Sequence, residues 1–213
     1  MSEAAAGPPP VLEVEDLAIS FSRYERGLRR VELNVISGLS VTVDKGEMLA
    51  VVGSSGSGKS LLAHALLGLL PSNCGASGVL RFEGERLDQK RREALRGRKI
   101  VLVPQSVTWL DPLRKVGLEV RKGQKGPEAQ KAQERLFSYY GLSQKVASLY
   151  PFELSGGMAR RVLLAAAMME TPSLIIADEP TPGLHLSAAK KAMRHFRAFA
   201  DQGRGVLLIT HDL

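Results

Sequence analysis

The chain has 213 residues, of which 44% are hydrophobic and 24% charged, and its formal net charge is +7. This composition is ordinary for a globular protein and excludes a disordered or fibrous chain, and the length suits one α/β core with a subdomain. Cys74 is the single cysteine, which excludes an intramolecular disulfide framework and a cysteine-based metal site.

The first ten residues are small, proline-rich and polar and are predicted to form a disordered tail. They contain no basic segment followed by an apolar one, so they do not resemble a signal peptide. No apolar run in the chain approaches the roughly 18 residues that indicate a membrane-spanning helix. We therefore expect the protein to stay in a reducing cytosol and to meet a membrane only through a partner.

Three β-rich segments come next and are predicted to form a small antiparallel sheet. They cover residues 11–14, 18–21 and 33–43 and are interrupted by polar turns. A short apolar run at 48–52 then ends in glycine and indicates a strand. Residues 61–70 are almost continuously apolar, which predicts a buried helix.

Between that strand and helix lies a glycine-rich segment that matches the phosphate-loop pattern G-x-x-x-x-G-K-[ST] in full. Its glycines let successive backbone N–H groups converge on phosphates, and the N-terminus of the helix adds its positive dipole end. Lys59 is expected to reach the β- and γ-phosphates of ATP, and Ser60 to offer its hydroxyl to Mg²⁺. The segment consists of Gly53, Ser54, Ser55, Gly56, Ser57, Gly58, Lys59 and Ser60.

Three further apolar runs are typical of parallel strands that are buried on both faces. They cover residues 100–103, 174–177 and 206–209, so the central sheet is assembled from distant segments. The second run ends in Asp178 and Glu179. Asp178 is expected to hold Mg²⁺ directly or through water, and Glu179 to polarise the water that attacks the γ-phosphate.

Helical signals dominate from about residue 109 to residue 169, which predicts an inserted helical subdomain. Pro127 indicates a helix start and Gly141 a helix end. Basic residues concentrate at 90–99 and 114–131. A solvated face of this subdomain is the favoured explanation for them, with nucleotide phosphates and anionic membrane headgroups as the alternatives.

A Leu-Ser-Gly-Gly sequence at residues 154–157, the signature segment, opens a predicted helix that runs through residues 161–168. The Ser155 hydroxyl and the backbone N–H groups of Gly156 and Gly157 would lie at the positive end of this helix. This arrangement predicts an anion site.

With these motifs in this order, the chain resembles an ATP-binding cassette ATPase over most of its length. The resemblance implies an α/β fold over residues 11–213: a P-loop NTPase core of the RecA-like type, an antiparallel β subdomain and an inserted α-helical subdomain. It implies that Gln105 contacts Mg²⁺ and the attacking water, and that His211 contacts the γ-phosphate. Residues 155–157 would then close on the ATP of the opposite protomer in a head-to-tail dimer.

The resemblance also implies an aromatic side chain that stacks on adenine. Phe21 is the first candidate because it ends an early β segment, and Tyr24 is the rival. Phe21 could instead belong to the core of the sheet.

Within this family the chain is similar to the ATPases of oligopeptide, dipeptide and nickel uptake. That similarity implies an ATPase subunit that powers import of peptides or of nickel and other metal complexes. Its partners would be a second, paralogous ATPase, two transmembrane permeases and, indirectly, a substrate-binding protein, at the cytoplasmic face of the cell membrane. The similarity lies in residues 78–84, 96–100, 109–113 and 154–159.

Two departures from the family pattern affect these expectations. Residues 182–185 read Pro-Gly-Leu-His, so His185 replaces the aspartate that ends the corresponding loop. We therefore expect a heterodimer, in which this chain alone is weakly active. The family also continues beyond the position of His211 with further strands and a helix, whereas this chain ends at Leu213. C-terminal elements are thus expected to be missing, with apolar surface exposed on the strand at 206–209.

Two other classes of P-loop protein compete with the importer ATPase. A cassette protein of DNA repair or chromosome maintenance would suit the basic charge, but such proteins place a long coiled coil between the phosphate loop and the signature. Here Ser60 and Ser155 are only 95 positions apart, without sustained heptads. A small-molecule kinase would lack the signature segment, and we expect no nucleic-acid partner.

Overall fold

A computed structural model of the protein describes residues 8–25, 29–54 and 56–211, without the side chains of residues 23–25 and 29–30. Most of the expected N-terminal tail therefore lies outside the described residues. The same is true of Ser55 in the phosphate loop and of the Tyr24 side chain.

Three strands open the chain, and helices and strands are mixed from there on. The first half contains β1 (Leu12–Glu25), β2 (Arg29–Val43), β3 (Met48–Val52), α1 (Lys59–Leu67), β4 (Cys74–Phe82), β5 (Glu85–Arg86), α2 (Gln89–Leu95) and β6 (Ile100–Val103). The second half contains α3 (Val116–Val120), α4 (Pro127–Tyr139), α5 (Gly156–Met168), β7 (Leu174–Asp178), α6 (Leu186–Ala200) and β8 (Gly205–Thr210). Short 3₁₀ turns cover Val107–Trp109, Gln144–Ser148 and Pro151–Glu153.

The antiparallel sheet has the strand order β2-β1-β4-β5. The expected break between residues 14 and 18 is wrong, because β1 is continuous and carries an irregularity there instead. At this irregularity Asp16 adopts a φ of +47°, and its N–H donates to the Ser40 hydroxyl at 3.0 Å. Gly78 on β4 allows the close approach, since a Cβ there would lie 2.7 Å from the carbonyl oxygen of Asp16. Neither β4 nor β5 was predicted from the sequence, and the helices α2 and α6 were not predicted either.

The parallel sheet has the strand order β3-β8-β7-β6 and confirms the predicted strands. The expected exposure of the strand at 206–209 is wrong, however. All six residues of β8 are buried because this strand lies between β3 and β7. The partly exposed strand is β3, at the edge of this sheet, where Val52 is 46% exposed.

Alternating residues of the parallel strands face two hydrophobic cores, as the two-residue repeat of a β-strand requires. Ile176 and its alternate neighbours pack in one core with α1 and the antiparallel sheet, where Leu62 and Ile19 are fully buried. Ile175 packs in the other core with α5 and α6, alongside Val162. The parallel sheet is therefore the middle layer.

The helices that follow β6 agree with the predicted helical region. α4 begins at Pro127 and ends shortly before Gly141, whose φ of +66° does not suit a continuing helix. α1 is shorter than expected, because Gly68 ends it in a left-handed conformation. No helix in the described ranges is both long enough and apolar enough to cross a membrane.

Candidate functional site

The phosphate loop connects the carboxyl end of β3 to the first turn of α1. Gly56 and Gly58 have φ values of +78° and +85°, a region that favours glycine. The Lys59 ammonium group turns back into the loop and donates to the carbonyl oxygens of Gly53 at 2.5 Å and of Ser54 at 2.7 Å. The loop therefore encloses a positive charge at the N-terminus of a helix, where anions are stabilised.

A cavity of about 320 Å³ opens beside this loop. It brings together the loop and three of the residues that the sequence analysis selected from elsewhere in the chain: Gln105, Asp178 and Glu179. Each of the three follows or ends a parallel strand, so the carboxyl ends of β6 and β7 supply them. The cavity is lined by Val35, Gly56, Gly58, Lys59, Ser60, Leu61, Gln105, Asp178 and Glu179.

The two carboxylates are both buried, with 5% of Asp178 and 6% of Glu179 exposed. Burial raises the pKa of Asp178, as does the charge of Glu179, while the Ser60 hydroxyl and the charges of His64 and Lys59 act in the opposite direction. One oxygen of Asp178, Oδ1, is buried and has no hydrogen-bond partner among the described residues. A cation near Asp178 would satisfy this oxygen.

Mg²⁺ fits this set of oxygen atoms. It prefers hydroxyl and carboxylate oxygens, and in nucleotide sites it needs only one or two protein ligands besides phosphate and water. Ser60 and Asp178 supply such oxygens. The described part of the chain holds no group of three or more His, Cys, Asp or Glu side chains arranged for a metal ion.

Glu179 is held in place by the end of β8. Its Oε1 lies 2.6 Å from Nδ1 of His211, and its backbone N–H donates to the carbonyl oxygen of Ile209 at 2.9 Å. Its φ of +47° is unusual for a residue with a side chain and indicates local strain. The structure thus places His211 directly against the carboxylate of the proposed catalytic residue.

Arg160 lies on α5, is only 8% exposed and was not predicted as a functional residue from the sequence. Its Nη1 donates to the carbonyl oxygens of Pro104 and Glu179, both at 3.1 Å. The spacing of apolar residues gives no signal that separates Arg160 from its neighbour. Leu163 and Leu164 follow Arg160 at three and four positions, and Leu164 and Ala165 follow Arg161 in the same way.

The signature segment lies outside the cavity. The Ser155 hydroxyl caps α5 by accepting the N–H of Met158 at 3.3 Å, so the predicted helix start is correct. Ser155 and Gly156 are exposed. A Cβ at Gly157 would lie 3.6 Å from the carbonyl oxygen of Gly183, so the signature segment adjoins the loop that ends at His185.

Phe21 lies on the central strand of the antiparallel sheet and pairs with Leu33 on β2 and Cys74 on β4. It is partly buried, whereas Leu33 is 64% exposed. Val35, two positions further along β2, lines the cavity. Phe21 therefore lies close to the strand that borders the phosphate loop, and its contact with adenine stays a prediction.

Comparison with known proteins gives matches over almost the whole chain. The family model described as ABC transporter matches residues 36–182. The oligopeptide transport ATP-binding protein OppD of Bacillus subtilis is 36% identical over 95% of this chain, which spans 60% of that relative's length. The probable D,D-dipeptide transport ATP-binding protein DdpD of Escherichia coli is 33% identical over 96% of this chain and 65% of its own length.

Solved structures of nucleotide-binding cassettes share the fold. A dimeric ABC transporter cassette, MJ0796, superimposes with a TM-score of 0.77 at 24% identity, covering 94% of this chain and 88% of the other. An ATP-binding subunit of an ABC transporter superimposes with a TM-score of 0.74 at 27% identity, covering 95% of this chain and 80% of the other.

Proposed function

The chain belongs to the ABC transporter family, and from that membership we propose that it binds and hydrolyses ATP to power an importer for peptides. The observation that carries this proposal is the cavity in which Lys59, Gln105, Asp178 and Glu179 converge on the phosphate loop. These residues come from three separate parts of the sequence, and each supplies a group that phosphoryl transfer from ATP requires.

Binding begins at the phosphate loop. The Lys59 ammonium group exchanges its bonds to the carbonyl oxygens of Gly53 and Ser54 for bonds to the β- and γ-phosphates. Backbone N–H groups of the loop and the N-terminus of α1 contribute further positive potential. Phe21 would contact the adenine ring from the neighbouring sheet, with a sheet-core role as the alternative.

Hydrolysis requires a positioned water and stabilisation of charge on the phosphate oxygens. The carboxylate of Glu179 orients and polarises the water. His211 holds that carboxylate through the contact of 2.6 Å and would contact the γ-phosphate. Ser60 and Asp178 would hold Mg²⁺, with Gln105 close to it. When bound, Mg²⁺ neutralises negative charge that develops on the phosphate oxygens.

Two copies of a cassette are needed for a complete site in this proposal. The signature segment is exposed and separate from the cavity of its own chain, which suits donation of Ser155 to the nucleotide of a partner. The fold is shared with a cassette that forms a dimer. The loop that ends at His185 adjoins the signature segment through Gly183, and we infer a heterodimer with a paralogous ATPase because histidine there replaces an acidic side chain.

The relatives named above carry peptide-transport names, which favours peptides over nickel or metal complexes as the transported class. The chain spans 60% of the length of the Bacillus subtilis relative. That this chain powers transport as the complete relatives do is therefore our proposal. The partners would be two transmembrane permeases and a peptide-binding protein, with the ATPase at the cytoplasmic face of the membrane.

Phosphate release from MgATP by the purified chain tests the proposal. The matched control is Glu179→Gln, which keeps the shape of the side chain but removes its charge. We expect the variant to bind ATP and to lose turnover by several orders of magnitude. We also expect permeases in proteoliposomes to stimulate the wild-type chain, and duplex DNA to have no effect. Wild-type turnover equal to that of Glu179→Gln would contradict the proposal, and stimulation by DNA alone would favour the competing class.

A further inference from the structure

Arg160 is a buried charge that forms no hydrogen bond to a carboxylate of the described residues. Its guanidinium group donates to two backbone carbonyl oxygens, and Asp178 and Glu179 act on it only through their charges. Burial lowers the pKa of Arg160, which these two charges oppose, and an arginine side chain stays protonated in proteins. Burying a charge is unfavourable unless its hydrogen bonds are satisfied. The two carbonyl contacts therefore determine where this side chain lies.

Both carbonyl groups belong to segments that carry the proposed chemistry. Pro104 is the residue immediately before Gln105. The other carbonyl is that of Glu179 itself, whose φ of +47° persists only where surrounding contacts enforce it. One guanidinium nitrogen, Nη1, thus joins the end of β6 to the residue that follows β7.

Arg160 also connects these segments to the signature segment. It lies five positions after Ser155 on the same helix, a rise of about 7.5 Å along the helix axis. A helix of this length moves as a rigid unit. A displacement of Ser155 along the axis of α5 therefore displaces the Arg160 backbone by the same amount.

We propose that Arg160 is a positioning residue that fixes Gln105 and Glu179 relative to α5 and so couples the signature segment to the catalytic carboxylate of the same chain. This inference rests on the proposed function, because it assumes that Glu179 acts on ATP. It adds a residue and a physical connection that the phosphate loop, the two carboxylates and His211 do not provide.

The neighbouring residue Arg161 offers a matched control. It also donates to backbone carbonyl oxygens, at 3.2 Å to Tyr140 and 2.9 Å to Gly141 at the end of α4, and at 3.1 Å to Gly157 one turn earlier on α5. Replacing either arginine removes one positive charge and at least two hydrogen bonds from the same turn of α5. Only the replacement of Arg160 releases Glu179.

The test compares Arg160→Gln, Arg160→Lys and Arg161→Gln in the full chain. We measure kcat and KM for MgATP, the ATP affinity by titration calorimetry, and amide hydrogen exchange at residues 105, 106, 140–142, 179 and 181, since the prolines at 104 and 180 carry no amide hydrogen. Arg160→Gln should lower kcat by about 10- to 100-fold, the effect expected of a displaced catalytic group, with KM and affinity within about threefold. Arg160→Lys should be intermediate, since an ammonium group keeps the charge but not the fixed geometry of the guanidinium.

Exchange should rise at residues 105, 106, 179 and 181 in Arg160→Gln, and at residues 140–142 in Arg161→Gln with kcat nearly unchanged. Wild-type kcat in Arg160→Gln would overturn the inference, as would equal losses of kcat in Arg160→Gln and Arg161→Gln. If Arg160→Gln does not fold, Arg160→Lys decides by the same measurements. If the wild-type chain shows no ATP turnover, the proposed function is contradicted instead. Unchanged amide exchange around Gln105 and Glu179 in Arg160→Gln would in that case still overturn the positioning role.

Discussion

Gly58→Ala should weaken the contact between the phosphate loop and the antiparallel sheet. A Cβ at this position would lie 2.5 Å from Cγ1 of Val35 on β2, well inside van der Waals contact. Val35 cannot easily move away, because a β-branched side chain is restricted about its first side-chain torsion. The φ of +85° at Gly58 adds strain for any residue with a Cβ.

The two effects can be separated by magnitude. A positive φ destabilises alanine by about 1–2 kcal/mol relative to glycine, and overpacking a fitted contact adds about 1–3 kcal/mol. We therefore expect Gly58→Ala to lower the free energy of unfolding by about 2–5 kcal/mol, against a usual total of about 5–15 kcal/mol. Gly56→Ala should lower it by only about 1–2 kcal/mol, because its φ is +78° but no atom lies within 4 Å of the new Cβ.

Urea unfolding of the two single variants, of Val35→Ala and of the double variant Val35→Ala/Gly58→Ala measures both contributions. The double-mutant cycle should return a favourable coupling of about 1–3 kcal/mol, since truncation of Val35 makes room for the new Cβ. Equal destabilisation by Gly56→Ala and Gly58→Ala, or a coupling near zero, would show that the loop relaxes and that Val35 does not restrict it.

Three further predictions concern other parts of the chain. Lys59→Ala should weaken MgATP binding by roughly 10- to 150-fold in titration calorimetry, the usual loss for a hydrogen-bonded charge, and unchanged affinity would contradict the phosphate-loop assignment. His185→Asp should raise ATP hydrolysis mainly when the paralogue is present, at the site built on the partner's phosphate loop; full activity of the wild-type chain alone would exclude the heterodimer. Burial lowers the pKa of His195 below its ordinary 6.5, and its Nδ1 lies 2.6 Å from the Tyr140 hydroxyl. The contribution of neutral His195 to the free energy of unfolding in urea should therefore be fully present above pH 6.5 and decrease as the pH falls below it. His195→Gln should lack this pH-dependent contribution. Stability profiles that run parallel over this pH range in the wild-type chain and the variant would contradict the prediction.

Much of the site follows from the sequence because parallel strands place their carboxyl ends at one edge of a sheet. An apolar run that ends in Asp178 and Glu179, and another that ends just before Gln105, predict neighbours without any knowledge of strand order. The burial of β8 could not be predicted in that way. Whether a strand is central or lies at the edge depends on the crossover connections, and β8 enters between β3 and β7.

Among the elements that were not predicted, β4 and α6 differ in the signal that the sequence offers. β4 begins with Cys-Gly-Ala-Ser-Gly, residues of low strand propensity whose side chains are mostly exposed. It is a strand because β1 supplies a partner, a tertiary effect that local sequence does not contain. α6 was detectable, since Ala192, Phe196 and Ala200 recur at four-residue spacing and are all fully buried.

The two arginines of α5 show where sequence reasoning ends. Adjacent residues on a helix differ by about 100° in direction, so Arg160 reaches the core while Arg161 reaches the end of α4. Identity and spacing cannot tell which of them is buried, because the position of α5 between the parallel sheet and α4 decides it. That position has a mechanical consequence. A rotation of α4 relative to β6 and β7 must stretch the hydrogen bonds of Arg160 or those of Arg161, because α5 cannot move with the parallel sheet and with α4 at once. If the bonds of Arg160 are kept, Glu179 moves together with the signature segment. If they break, the two move independently.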